Sequence, residues 1–245
     1  EKLTKADLAF IGEAKKMFEF ERFRQVELPA QYGRRLETLS FFGFLGEDGA
    51  AKKGDVPVPT LEKTMAVFTP DMLALARTFQ EPTLLLVPKT SFAAKVRAID
   101  AKKTMKGQAD TYQSDLYKKT DSGSGRISGW KAVIVDGAKE MKLKLGDDTE
   151  LTFAERIKKR EAARKPGERG MGRHAYALLM MESLRKGEPI DENTYTLLDD
   201  DPALSASAAP LASWGGVRVN FDASVPGDVN AEARFRSAVG GVVKF

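Results

Sequence analysis

The chain has 245 residues, 42% of them hydrophobic and 30% charged, with a net charge of +4, a single histidine and no cysteine. That balance fits a folded protein with a real core, and the charge is milder than a dedicated nucleic-acid binder carries. Without thiols there are no disulfides, thiolate nucleophiles, Cys-based zinc sites or iron–sulfur clusters, and His174 alone cannot build a histidine-rich metal site.

The N-terminus, "EKLTKADLAFIGEAKK", is charged and amphipathic, unlike a signal peptide. The chain starts without Met, so an upstream targeting signal stays open, and a cytoplasmic protein is the expectation. Residues 4 to 25 read as an amphipathic helix capped by Thr4 or Asp7, with Leu8, Ile11, Phe18 and Phe23 along one face. "YGRRLETLSFFGFLG" reads as a second helix, and "EDGAAKKGDVPVPT" as an exposed connection. A short helix follows from Leu61 to Phe68, then another with Thr69 as cap and Pro70 in its first position. Aromatic residues in "FEFERF" and "LSFFGF" offer an oligomer or partner surface, although such spacing also suits plain core.

At Pro82 the texture changes. "PTLLLVPK" predicts a buried strand, "SFAAKVRAIDAKK" a helix with Ser91 as N-cap, and "WKAVIVDG" a second strand. Between them the polar stretch from Lys106 to Gly129, with "TDSGSGRISG", reads as loop. Thr152 and Glu155 are spaced as a capping box, so a helix begins there and ends at Pro166-Gly167. "GRHAYALLMMESLRKG" predicts the next helix, closed by Gly187, and "LDDDPALSASAAPLAS" a small-residue connection. No run reaches the roughly 18 apolar residues of a membrane span. The expected fold class is α+β, with a helical segment over residues 1–80 and a mixed domain of short, largely antiparallel strands over 82–245, one continuous domain being the alternative.

Three groups of residues, and one lone histidine, are candidates for chemistry. Asp199, Asp200 and Asp201 form a compact oxygen-rich group suited to Ca²⁺ or Mg²⁺, against a solvated acidic turn as the plainer reading. The segment from Arg156 to Arg173 is strongly basic, and Lys158, Lys159, Arg160, Arg164 and Lys165 could follow nucleic-acid phosphates, against a solvated helix face. His174 has no adjacent carboxylate to orient it and no Gly-x-Ser-x-Gly serine, so it reads as a packed helix-start histidine.

The tail, "WGGVRVNFDASVPGDVNAEARFRSAVGGVVKF", is the third. Alternation turns Val217, Val219 and Phe221 one way and Arg218, Asn220 and Asp222 the other. The Pro226-Gly227 turn follows, then two short strands around Gly240-Gly241. Asn220, Asp222, Ser224, Asp228 and Asn230 form the expected recognition edge, with Arg234 and Arg236 bracketing it or pairing with Asp222 and Asp228. Phe221, Phe235, Val239 and Phe245 are the expected anchors. Trp214-Gly215, Asn220, Asn230 and "ARFRSAV" resemble the ends of C-type-lectin-like domains related to the formylglycine-generating enzyme fold. The likeness covers the last 35 residues or so, and Ala233 replaces the usual glycine. It implies a lectin-like ligand-display domain; without cysteines or a Glu-Pro-Asn triplet it implies neither formylglycine catalysis nor the lectin calcium site.

The resulting expectation is a non-catalytic binding or interaction protein that needs no cofactor and no membrane and uses its C-terminal loop. A nucleic-acid-associated protein using the basic helix is the alternative, and a carboxylate- or metal-dependent enzyme the third.

Overall fold

The chain opens with one long helical run that changes register midway. Helix α1 (Lys5–Arg22) starts on a capping box in which Thr4 and Asp7 bond each other's backbone amides. A π-helical turn, Phe23–Glu27, joins it to α2 (Leu28–Phe41). Pro29 accounts for the change: it has no N–H to give the carbonyl four residues back, and its ring crowds that carbonyl, so the turn widens. The computed structural model describes residues 3–46, 57–104, 107–108, 110–115, 118, 129–141, 150–198 and 208–245. "TDSGSGRISG", apart from Gly129, lies outside the described residues, as does most of "EDGAAKKGDVPVPT".

Two short helices follow, α3 (Leu61–Met65) and α4 (Pro70–Ala76), capped by the hydroxyls of Thr60 and Thr69. Next come β1 (Pro82–Val87), α5 (Phe92–Asp100) with Ser91 as cap, and the small strands β2 (Lys103–Thr104), β3 (Gly107–Gln108) and β4 (Asp110–Gln113). After them lie β5 (Lys131–Asp136), α6 (Phe153–Ala163), β6 (Arg169–Gly170) and α7 (Arg173–Lys186). Strands β7 (Tyr195–Leu197), β8 (Ala209–Trp214), β9 (Arg218–Ser224), β10 (Ala233–Phe235) and β11 (Ser237–Val242) complete the chain.

The class is α+β, with two main sheets. One is antiparallel throughout, in the order β1-β5-β11-β6. The other is mixed, in the order β10-β7-β8-β9-β4, with parallel pairs at both ends. Gly240 suits its place in β11 because its φ of 137° favours glycine and a Cβ would strike the Ala132 carbonyl at 2.1 Å. Among the described residues no helix is long and apolar enough to cross a membrane.

Helix α7 is the centre of the core. Every residue from Tyr176 to Leu184 is buried, including Glu182 and Ser183. It packs against β1, α2 and α5. Tyr176 meets Phe221 of β9 edge-on at 5.8 Å, so the same helix also reaches the second sheet. Residues of the helical segment, among them Phe23, Leu39 and Phe79, belong to one cluster with Leu84, Ile134 and Met180.

Two buried ion pairs sit in this interior. Arg35 of α2 meets Glu182 of α7, and the Thr38 hydroxyl donates to the same carboxylate. Arg236 is 0% exposed and pairs with Asp191 at 2.5 Å. Its guanidinium also donates to the carbonyls of Asp136, the last residue of β5, and Ala138 just beyond it, and to the Thr196 hydroxyl of β7. It therefore fastens the two sheets where the chain passes from β10 to β11. Burial, and after it the Asp191 carboxylate, push the neighbouring Tyr176 phenol well above its ordinary range.

Several sequence expectations need correction. Most of the apolar side chains of α1 find no cover among the described residues: Leu8, Ile11 and Phe18 are exposed, Phe20 packs partly against the core, and of the expected face Phe23, in the π turn, is buried. The stretch ending "APLASW" forms strand β8 rather than a connection, although small residues and Pro210 argue against a strand. It works because β8 lies between β7 and β9, where a fully buried position rewards small side chains. The two closing strands are β10 and β11, and Gly240-Gly241 lies within the latter. Phe245 is 57% exposed, outside the buried core, with the Lys63 ammonium over its ring at 5.1 Å.

Candidate functional site

Pairing in the five-stranded sheet dictates which side chains share a face. Ser213 and Leu211 of β8 stand opposite Asn220 and Asp222 of β9, and Tyr112 of β4 stands opposite Asn220 on the other side. The inner face of β9 carries Val219 and Phe221, both 0% exposed, with Phe221 edge-on to Phe92 at 4.7 Å. Its outer face carries Arg218, Asn220, Asp222 and Ser224, as the alternation predicts, whereas Val217, before the strand, is exposed.

Helix α6 covers only part of this outer face. Phe153 and Ile157, one turn apart, pack on Leu197, Leu211, Ala233 and Phe235. The rest stays open as a depression of about 470 Å³, lined among others by Tyr112, Tyr195, Ser213, Arg218, Asn220, Asp222, Ser224 and Asn230. Arg218 lies over the Tyr112 ring at 6.0 Å, and Asn220 reaches the Ser213 hydroxyl at 3.4 Å. The lining thus offers two aromatic rings, one guanidinium, one carboxylate, and amides and hydroxyls that both donate and accept.

The loop after β9 is fastened to α6. The amides of Phe153 and Ala154 donate to the Asp228 and Pro226 carbonyls at 3.0 and 2.9 Å. Arg156 is 3% exposed and donates to the Asn230 carbonyl at 2.8 Å and to that of Ala233. Asn230 accepts from the Glu232 amide at 2.8 Å, a local turn that leaves its side chain at the rim. Asp228 accepts from the Val225 amide at 3.2 Å and serves the turn rather than the depression.

Of the expected recognition residues, Asn220, Asp222, Ser224 and Asn230 therefore share one concave surface. Arg234 and Arg236 do not. Arg234 is 9% exposed and donates to the Ala231 and Ala233 carbonyls; Arg236 belongs to the joint between the sheets. The expected alternation fails there because all residues from 233 to 239 are buried as the chain crosses the interior. Tyr112, Tyr195 and Arg218 complete the surface. The parallel pairing of β4 with β9 joins residues far apart in sequence, which local patterns do not report.

The basic segment is not a solvated stripe. Arg156 and Arg173 are buried, and Arg160 pairs with Glu168 at 2.5 Å. Lys158, Lys159 and Lys165 are exposed and Arg164 is half-buried. Burial of Leu178 and its neighbours in α7 follows the expected contrast across the glycine turn. His174 is half-buried, with its ring edge-on to Phe92 at 5.8 Å. Asp199, Asp200 and Asp201 lie outside the described residues. Among the described residues, no group of three or more metal-ligating side chains converges.

No family model, curated protein or solved structure matches this chain.

Proposed function

We propose that the protein is a non-catalytic binding protein whose recognition surface is the open half of the five-stranded sheet and the loop beside it. One observation carries the reading: Asn220, Asp222, Ser224 and Asn230 line a single polar depression that α6 leaves uncovered. Side chains on paired strands are held in place before a ligand arrives, so little conformational entropy is lost on binding. Mixed donors and acceptors beside the Tyr112 and Tyr195 rings suit a small polar ligand with hydroxyl or amide groups, which stacks one face and bonds through its edges. The similarity of Trp214-Gly215, Asn220, Asn230 and "ARFRSAV" to the ends of lectin-like display domains supports the same reading, and with it a C-type-lectin-like fold.

The test is a titration of the ¹⁵N-labelled protein with a panel of mono- and disaccharides and short polar peptides, read by amide shifts. A binder is expected to perturb Tyr112, Arg218–Ser224 and Asn230 together. If every binder perturbs another surface, or none in the panel binds, the reading fails.

A further inference from the structure

A second concavity lies at the start of α7. A cavity of about 240 Å³ opens where the first turn of α7 meets the antiparallel sheet. Its charged lining is Lys131 of β5, Arg169 of β6 and Arg173 of α7, with His174 beside them; among the described residues neither Asp nor Glu lines it. Arg173 is 1% exposed and lies over the Phe92 ring at 5.0 Å, which holds its guanidinium in place. Lys131 and Arg169 form no ion pair with any carboxylate among the described residues. Lys131 and Arg169 thus stand beside the cavity without a carboxylate partner among the described residues, and an anion between them would be attracted by both.

The backbone adds to the same field. Helix α7 has 14 residues, and its N-cap, Gly172, has no side chain to accept from the first-turn amides. The positive end of the helix faces the cavity that the cations line. The remaining wall is apolar and includes Val133 and Val242 from adjacent strands. The space exceeds what one phosphate group occupies, so a ligand needs a body as well as a charge.

We propose that this cavity binds a small phosphate ester. Its phosphate sits at the start of α7 among Lys131, Arg169 and Arg173, and its organic part rests on Val133 and Val242. A phosphate monoester is favoured over a carboxylate because its near-double charge and three free oxygens match several donors from different elements. The site is separate from the polar depression, and neither proposal depends on the other.

The probe is phenyl phosphate, with inorganic phosphate and phenol as comparisons, titrated calorimetrically into the whole chain and into the Lys131→Gln, Arg169→Gln double variant. Neither residue is fully buried, so the variant is expected to melt at the wild-type temperature. Phenyl phosphate should bind saturably, shift the amides of Arg173, His174 and Ala175, and lose roughly tenfold or more affinity in the variant. Its affinity should also fall between about 50 and 200 mM salt. No saturable binding up to about 10 mM would overturn the proposal, as would binding that the double variant leaves unchanged. Equal affinity for inorganic phosphate and phenyl phosphate would overturn the apolar half of the assignment.

Discussion

The outer face of the five-stranded sheet divides into two halves that share strands but not chemistry. Under α6, Leu197, Leu211, Ala233 and Phe235 meet Phe153 and Ile157 in a dry cluster. A few residues along the same strands, Ser213, Asn220, Asp222 and Ser224 face an open depression. The difference shows that the boundary is set by where the helix lies, not by strand identity. Leu211 and Asp222 stand directly opposite each other; Leu211 packs under the helix and also edges the depression, whereas Asp222 lies in the depression alone. The face is apolar where α6 covers it and mainly polar where it does not.

The hardest blow to the covered half is the loss of its plug. Phe153 is 0% exposed and is the first residue of α6. Phe153→Ala should cost about 3–5 kcal/mol in chemical denaturation, the range for a buried Phe replaced by Ala. A loss below about 1 kcal/mol would mean that α6 does not depend on this contact, and the division of the face would be weaker than drawn. The boundary itself is tied by Arg156, which reaches from α6 to the carbonyls of Asn230 and Ala233. Arg156→Met keeps much of the packing and removes the charge-assisted bonds. It should cost roughly 1.5–3 kcal/mol, and amide exchange should speed up around Asn230 more than in α7.

Much of this division was legible in the sequence, but only in pieces. Alternation in "VRVNFDA" separates Val219 and Phe221 from Asn220 and Asp222, and the Thr152–Glu155 spacing marks the start of α6. Both are local signals with a mechanism. Where α6 lands is not local. Nothing in "TFAERIKKRE" states that Phe153 meets Phe235 or that Arg156 turns inward to two carbonyls, so a basic helix reads as solvated. Strand β8 was hidden because Ala, Ser and Pro have low strand propensity and earn their place through neighbours on both sides. Arg236 misled for a related reason. The period-two rule assigns faces within one sheet, and at residue 236 the chain passes between two. Helix α1 is the opposite case, an apolar pattern for most of which the described residues supply no cover.

Acid should loosen the covered half through the carboxylates that hold α6. Hydrogen bonds from the Thr152 hydroxyl and amide hold the Glu155 carboxyl below its ordinary value of 4.5. Partial burial raises Glu168, but the Ser237 hydroxyl, the Lys165 amide and Arg160 outweigh it and leave it lowered as well. A carboxyl that binds its proton less readily when folded stabilises the fold fully above the ordinary value. That contribution fades as pH falls through the lower, folded value. Stability should therefore decline with acid from about pH 4.5 downward, and the Glu155→Gln, Glu168→Gln double variant should show a shallower decline. An equally steep curve in the variant would place the acid sensitivity elsewhere, with the buried Glu182 as the next group to replace.

The smallest effect on stability belongs to the open half, where the effect on binding should be greatest. The Asn220 side chain donates to the Ser213 hydroxyl at 3.4 Å, and the Asn230 side chain accepts one exposed amide, that of Glu232. The contact that fastens the loop uses the Asn230 carbonyl, which alanine keeps. Asn220→Ala with Asn230→Ala should therefore cost about 1 kcal/mol or less, the contribution of one ordinary hydrogen bond. Any saccharide or peptide that perturbs Arg218–Ser224 in the wild-type protein should lose most of its affinity for this variant. Its complement is Phe235→Ala, with a side chain 8% exposed under α6, which should damage the fold far more. If the asparagine pair instead unfolds the protein, the loop is a structural brace and the open half is only an incompletely covered sheet. If it leaves both folding and every binder untouched, recognition does not use this surface.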